Sequence, residues 1–172
     1  MADGEIEIRQ PLPAEFEAAG AVTALAYQEY AGDADDPWSW YLEHIADVAG
    51  RAQRTTVLVA VAAGMVIGTA TLELDARVEP DSSAPLDPDE AHIRMVGVHP
   101  DHRRRGIARR LVEACIDIAR DHGKRRLTLE TDPIMGAARA LYESLGFQPG
   151  PPRQVREDFC LLTYELVLDP AA

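Results

Sequence analysis

The stretch that most constrains this chain runs from Met95 to Ala108 and reads MVGVHPDHRRRGIA. A strand pattern over His92–Val98 ends, Pro100-Asp101-His102 forms a turn, and an amphipathic helix follows over residues 105–122. Ile107, Leu111, Cys115 and Ile118 share one stripe of that helix, and Gly123 fits its stop. The first backbone N–H groups of a helix are unpaired and carry partial positive charge, so they accept phosphate readily. Gly106 has no Cβ to obstruct a pyrophosphate against the backbone, and Ala108 is nearly as permissive. Neighbouring arginines can add bidentate contacts. No Gly-Lys-Ser/Thr follows, and the dinucleotide pattern Gly-x-Gly-x-x-Gly is absent, so neither of those phosphate loops is present.

Charge is distributed to match. The 172 residues carry a net charge of −12, which argues against a general nucleic-acid binder. Yet His99–Arg126 holds nine Arg or Lys and four acids, a +5 island in an otherwise acidic chain. Such an island steers one anionic ligand, or is simply a solvated basic helix face. No apolar run approaches the ~20 residues that span a bilayer. The opening Met-Ala-Asp-Gly-Glu is acidic, unlike a secretory leader, and a cytoplasmic protein with no membrane partner is expected. Cys115 and Cys160 are too few for a disulfide framework or thiolate metal site, and no metal is expected.

The remaining pattern is regular. Ile6-Glu7-Ile8 alternates as a short strand, and residues 14–30 and 38–54 suit helices. Residues 57–61 and 65–72 read as a hairpin around Ala63-Gly64. A Pro- and acid-rich loop covers 75–90. After the basic helix come a strand at 127–130, a helix at 135–145, a strand opened by Phe147, a loop at 149–158 and a closing strand at 159–168. With neither repeat nor linker, this order implies one domain over 1–172 and a mixed sheet covered by helices.

Arg103-x-x-Gly106-x-Ala108 resembles the pyrophosphate loop of the GNAT superfamily of N-acetyltransferases. The later run Leu141-Tyr142-Glu143-Ser144-Leu145-Gly146-Phe147 is similar to its second signature, a helix ending in Leu-Tyr-x-x-x-Gly-Phe, at the family's spacing. The likeness is sharp over about 90–147. It implies an α/β (α+β) domain whose mixed, mostly antiparallel sheet of six to seven strands is splayed at a coenzyme A cleft and flanked by about four helices. It also implies acetyl-CoA as co-substrate, its acetyl group passing directly to a primary amine of a small molecule or peptide in a ternary complex. A catalytically silent CoA-binding regulatory module of the same fold is the alternative, and a nucleotide-binding protein using the basic turn is a third reading. The resemblance leaves a homodimer open.

The resemblance gives the residues their roles. Backbone N–H groups of Arg103, Arg104, Arg105, Gly106, Ile107, Ala108 and Arg109 would hold the pyrophosphate. The strand backbone at Val96 and Val98 would pair with the pantetheine arm, and the Val98 N–H would polarise the thioester carbonyl. Gly97 is consistent with a bulge that opens the cleft, or with a close packing partner. Tyr142 is the candidate general acid, because a phenol is still protonated at neutral pH; a packed tyrosine is the other reading. His92 stands where many members have a glutamate base, and imidazole titrates near neutrality. A structural histidine is the alternative, with Glu130 as rival base and Glu90 behind it. Met135 stands where the family often has an asparagine contacting the pantetheine, so that contact is lost. Cys115 and Cys160 read as core thiols.

The family's acceptor enters opposite CoA, between about 14–56 and 149–158. Glu29, Tyr30, Asp33, Asp35, Asp36, Trp38 and Trp40 lie there, with Arg153 and Arg156 across the chain. Acids and aromatics together suit a cationic amine. A solvated acidic loop with core tryptophans is the competing reading.

Overall fold

The computed structural model describes residues 5–31, 37–78 and 84–169. Its strands are β1 (Glu7–Arg9), β2 (Thr56–Ala62), β3 (Met65–Glu73), β4 (Glu90–Val98), β5 (Arg126–Thr131), β6 (Gln148–Pro149), β7 (Arg153–Arg156) and β8 (Phe159–Val167). Its helices are α1 (Phe16–Tyr27), α2 (Pro37–Ala46), α3 (Val48–Ala52), α4 (Ile107–Asp121) and α5 (Gly136–Ser144). The sheet runs β1-β2-β3-β4-β5-β8-β6, with β7 also paired to β8. Among the described residues only β4 and β5 are parallel, since α4 crosses over between them. The eight strands exceed the six to seven expected because the segment read as a loop over 149–158 contributes β7, which pairs with β8.

Two apolar layers sandwich the sheet. On one face Ile107, Leu111, Val112 and Cys115 of α4 and Tyr142 of α5 pack on Leu58, Ile67, Leu72, Ile93 and Leu129. On the other, Ala19 and Val22 of α1 and Val48 of α3 cover Val57, Val59, Val61 and Val66. Each large aliphatic side chain buried this way contributes about 1.5–3 kcal/mol against solvent exposure. The helix expected over 38–54 is two helices. Asp47 leaves helical geometry (ψ 76°), and its carboxylate accepts from the Gly50 N–H at 2.9 Å, capping α3. Beyond β3 the second face turns polar, and an open cleft of ≈ 780 Å³ lies over β4, β5 and β8.

Candidate active site

Strand β4 builds the site because it is irregular. It pairs with β3 as Thr69↔Gly97 and Thr71↔Arg94, so β4 holds one residue more than its partner. That bulge sits at Met95-Val96, where Met95 has φ +55°. An extra residue inverts side-chain alternation. His92 and Arg94 line the polar cleft, whereas Val96 and Val98 pack on the α4 side. Gly97 is therefore not the bulge; it answers a close packing partner. A Cβ there would lie 2.8 Å from the Ala26 Cβ, so its absence is what lets α1 approach β4. The break in alternation was visible as two consecutive apolar residues, Met95 and Val96, after His-Ile-Arg.

The parallel pairing of β4 with β5 stops at Ile93↔Leu129. From Arg94 to Val98 the β5-facing edge of β4 has no strand on it among the described residues. His99 donates its N–H to the Ile67 carbonyl on β3 (2.9 Å). Successive strand amides point to opposite edges, so the Val98 N–H faces the gap. The Val96 carbonyl accepts from the Tyr27 hydroxyl at 3.0 Å. Burial, with Tyr41, Tyr142 and Tyr30 nearby, holds that phenol well above the ordinary range. Sequence reasoning missed Tyr27, whose position in the last turn of α1 gave no sign of its reach to β4.

Below the gap lies the basic turn. Arg104 and Gly106 both have positive φ, +63° and +73°, and Gly106 caps α4. Among the described residues the N–H groups of Arg104 and of Gly106 to Arg109 find no backbone acceptor, and Arg110 is the first to bond back, to Gly106 (3.1 Å). Consecutive free amides with left-handed residues among them make an anion-binding nest. The arginine side chains are mostly engaged elsewhere. Arg103 binds Glu29 (2.8 Å) and the Ala26 carbonyl (3.2 Å). Arg105 shares a hydrogen bond with His102. Arg109 donates to Ser144 on α5 (2.6 Å), and Arg110 to the Ile6 carbonyl (2.6 Å). Of these arginines, only Arg104 has no side-chain partner among the described residues.

Tyr142 is 6% exposed and packs edge-on to Phe147. Its hydroxyl makes no hydrogen bond to a described residue. Burial pushes its pKa upward, the neighbouring Cys115 adding to the effect. Cys115 is fully buried, and burial pushes its thiol up to about 12, which makes it inert. Cys160 is half-buried, its thiol against the Gln154 amide oxygen. Met135 precedes α5, its sulfur accepting from the Thr131 hydroxyl at 3.6 Å.

The cleft gathers His92, Glu90, Glu130 and Arg153 with Arg94 and Arg77. His92 is buried at the sheet face. Thr128 donates its single hydroxyl proton to Glu90 (2.8 Å), so the His92 Nδ1–H donates to Thr128 (2.8 Å). Desolvation, followed by the fields of Arg77, Arg94 and Arg153, lowers the imidazole to about 3. Glu130 is forked by Arg153 at 2.5 and 2.7 Å. Behind the cleft Glu73, with no exposed surface, accepts from Arg77 (3.1 Å) and the Val78 N–H (2.8 Å). The acceptor aromatics lie apart from these groups. Tyr30 is edge-on to Tyr27, while Trp40 is exposed and stacks on His44 at 5.4 Å. Trp38 begins α2. Asp33, Asp35 and Asp36 lie outside the described residues. Arg156 sits over the Phe159 ring.

A splayed β4–β5 pair above an amide-lined turn can take an extended arm ending in a pyrophosphate, and comparison with known proteins names the family with that design. The acetyltransferase (GNAT) family model matches residues 20–147. The chain belongs to the GNAT family. It is 36% identical over 90 residues to a probable N-acetyltransferase family 8 member 5 of Mus musculus, covering 52% of this chain and 37% of that protein. Over 59 residues it is 46% identical to the ribosomal protein bS18-alanine N-acetyltransferase of Escherichia coli K12, covering 34% of this chain and 40% of that enzyme. The aligned stretches thus span well under half of either relative. Among solved structures, the putative acetyltransferase yncA of Salmonella typhimurium, determined with acetyl-CoA, has a TM-score of 0.73 at 27% identity. That match covers 98% of this chain and 97% of yncA. The Escherichia coli S18-alanine N-acetyltransferase shares the GNAT fold, with a TM-score of 0.70 at 24% identity over 98% and 97% of the two chains.

Proposed function

We propose that this GNAT chain transfers the acetyl group of acetyl-CoA directly to a primary amine within a ternary complex. The observation that carries this reading is the open β5-facing edge of β4, ending at the unpaired amides of Gly106–Arg109. The acetyl thioester is what the bound donor supplies. The chain's residues hold and polarise it. The amide nest and the free Arg104 guanidinium take the pyrophosphate. The backbone amides of Val96 and Val98 extend the sheet onto the pantetheine, and the Val98 N–H stabilises the developing oxyanion.

Proton handling falls to two residues on opposite faces of the sheet. Tyr142 stays protonated because burial raises its pKa, and its hydroxyl is free to donate to the departing thiolate. The same dry surroundings raise the proton affinity of that thiolate. His92 is unsuited as base. With a pKa of about 3 its imidazole is neutral but nearly without basicity, so we assign base catalysis to Glu130 at the mouth of the gap, acting directly or through water. Glu90 is too far along β4, opposite Arg126.

A thermal melt with acetyl-CoA, CoA and ATP tests the donor site. Saturation at ~100 times the dissociation constant stabilises by roughly 2.7 kcal/mol, about 5–10 °C for a chain of this size. A shift with both CoA forms and none with ATP is expected, followed by amine-dependent CoA release. A shift without release from any amine would instead support the silent CoA-binding module.

A further inference from the structure

The last paired residues of β4 and β5 are Ile93 and Leu129. The next residue on each strand is Arg94 and Glu130, and both line the cleft. The His92–Thr128 hydrogen bond marks that face of the sheet, and alternation returns Arg94 and Glu130 to it. A cation and an anion therefore flank the mouth of the gap where the acetyl group is delivered.

Their partners differ in strength. Glu130 is held by the two-pronged contact from Arg153. Among the described residues Arg94 has only a distant ion pair, 3.6 Å to Glu73. Glu73 spends its oxygens on closer donors, Arg77 and the Val78 N–H. The guanidinium of Arg94, 23% exposed in its side chain, thus keeps most of its five donors. The cleft is lined by three cations, Arg77, Arg94 and Arg153, and three carboxylates, Glu90, Glu130 and Glu165, with the buried Glu73 behind them, so the lining carries no positive charge in excess. His92 adds none, being neutral. Arg126 is separately saturated by Asp87, Glu90 and Glu165.

Building on the acetyltransferase reading, we infer that the acceptor is a free α-amino acid, whose carboxylate is bound by Arg94 and whose amine is received by Glu130. An amine and a carboxylate separated by one carbon match two opposite charges at neighbouring positions across one strand gap. A polyamine would set its second ammonium against the Arg94 guanidinium, and a peptide N-terminus would set a neutral amide there. An amine bearing a phosphate shares the anionic chemistry, and the assay includes it.

The test uses the full chain with saturating acetyl-CoA and follows CoA release. Acceptors are free amino acids, their C-terminal amides, an Ala-initiated peptide, spermidine and phosphoethanolamine. At least one free amino acid should exceed its own amide in kcat/KM by roughly tenfold to a hundredfold, the worth of a charge-assisted contact. R94Q should raise KM for that amino acid and bring the acid-to-amide ratio towards one, while R94K restores part of it. The acid-to-amide comparison on the unmodified protein stands even if R94Q fails to fold. Preference for the amide, peptide, spermidine or phosphoethanolamine overturns the inference and leaves acetyl transfer intact, as does an R94Q variant with an unchanged ratio. Acetyl-CoA binding with no free amino acid turned over also overturns it. No acetyl-CoA melt shift would instead remove the acetyltransferase reading beneath it.

Discussion

Arg103 reaches back from the basic turn to Glu29, Nη1 to Oε1 at 2.8 Å, while its Nη2 donates to the Ala26 carbonyl at 3.2 Å. The first arginine of the motif is thus a strut from the donor turn to the end of α1, and Arg104 is the one whose side chain stays available. Arg104→Ala should raise the KM for acetyl-CoA about fivefold, the upper worth of an exposed charge pair. Arg103→Ala should leave that KM within about twofold and instead lower stability by about 0.5–1.5 kcal/mol through the lost carbonyl bond. Initial rates against acetyl-CoA and urea melts of both variants distinguish these roles.

Tyr142→Phe should keep the fold and lose the rate. Its hydroxyl has no hydrogen bond to a described residue, and the ring contacts with Phe147 and Tyr164 survive the change. A fall in kcat of roughly tenfold to a thousandfold is expected with unchanged acetyl-CoA binding. An unaltered kcat would leave Tyr142 as packing only.

Gly97→Ala places a Cβ 2.8 Å from that of Ala26. Overpacking of this kind costs about 1–3 kcal/mol. Ala26→Gly alone should cost up to about 1 kcal/mol in helix propensity. Combined with Gly97→Ala it should recover part of the loss, giving a coupling above about 0.5 kcal/mol in a double-mutant cycle. Additive losses would mean that Gly97 is required for its own backbone and not for the approach of α1.

His92 sets an acid limit on stability. Its folded pKa of about 3 lies below the unfolded value of 6.5. The unfolded chain therefore binds the extra proton first, and stability is complete above pH 6.5 and falls as the pH drops towards 3. By pH 4 the loss is about 3 kcal/mol. Denaturant melts from pH 7 to 4 should show a flatter dependence for His92→Gln, whose amide can still meet Thr128. Rates between pH 6 and 7 should show no titration that disappears with His92.

The donor side was the more legible half. Arg103-x-x-Gly106-x-Ala108 is local, and phosphate recognition by amides needs only one turn and one helix start. The α4 stripe was legible too, since Ile107, Leu111 and Cys115 recur at helical spacing and are buried together. Ile118, placed on that stripe from the sequence, lies only at its margin. Tyr27 and Arg94 escaped notice because a tyrosine in a helix and an arginine in a strand are ordinary until other elements meet them. His92 sat at the position of a base, but its basicity is lowered first by burial and then by the fields of Arg77, Arg94 and Arg153, two of them far away in the chain.

What the amino-acid order determined by itself is whatever rests on neighbours in sequence: the strand–turn–helix that presents free amides, the apolar periodicities, and the family signatures at Arg103–Ala108 and Leu141–Phe147. Only the tertiary structure decided the rest. It put the bulge at Met95-Val96 instead of Gly97, because register is a relation between β4 and β3. It also silenced His92 and set Arg94 opposite Glu130, because burial and electric field depend on distances through space. These are fixed when the sheet closes around groups far apart in the chain.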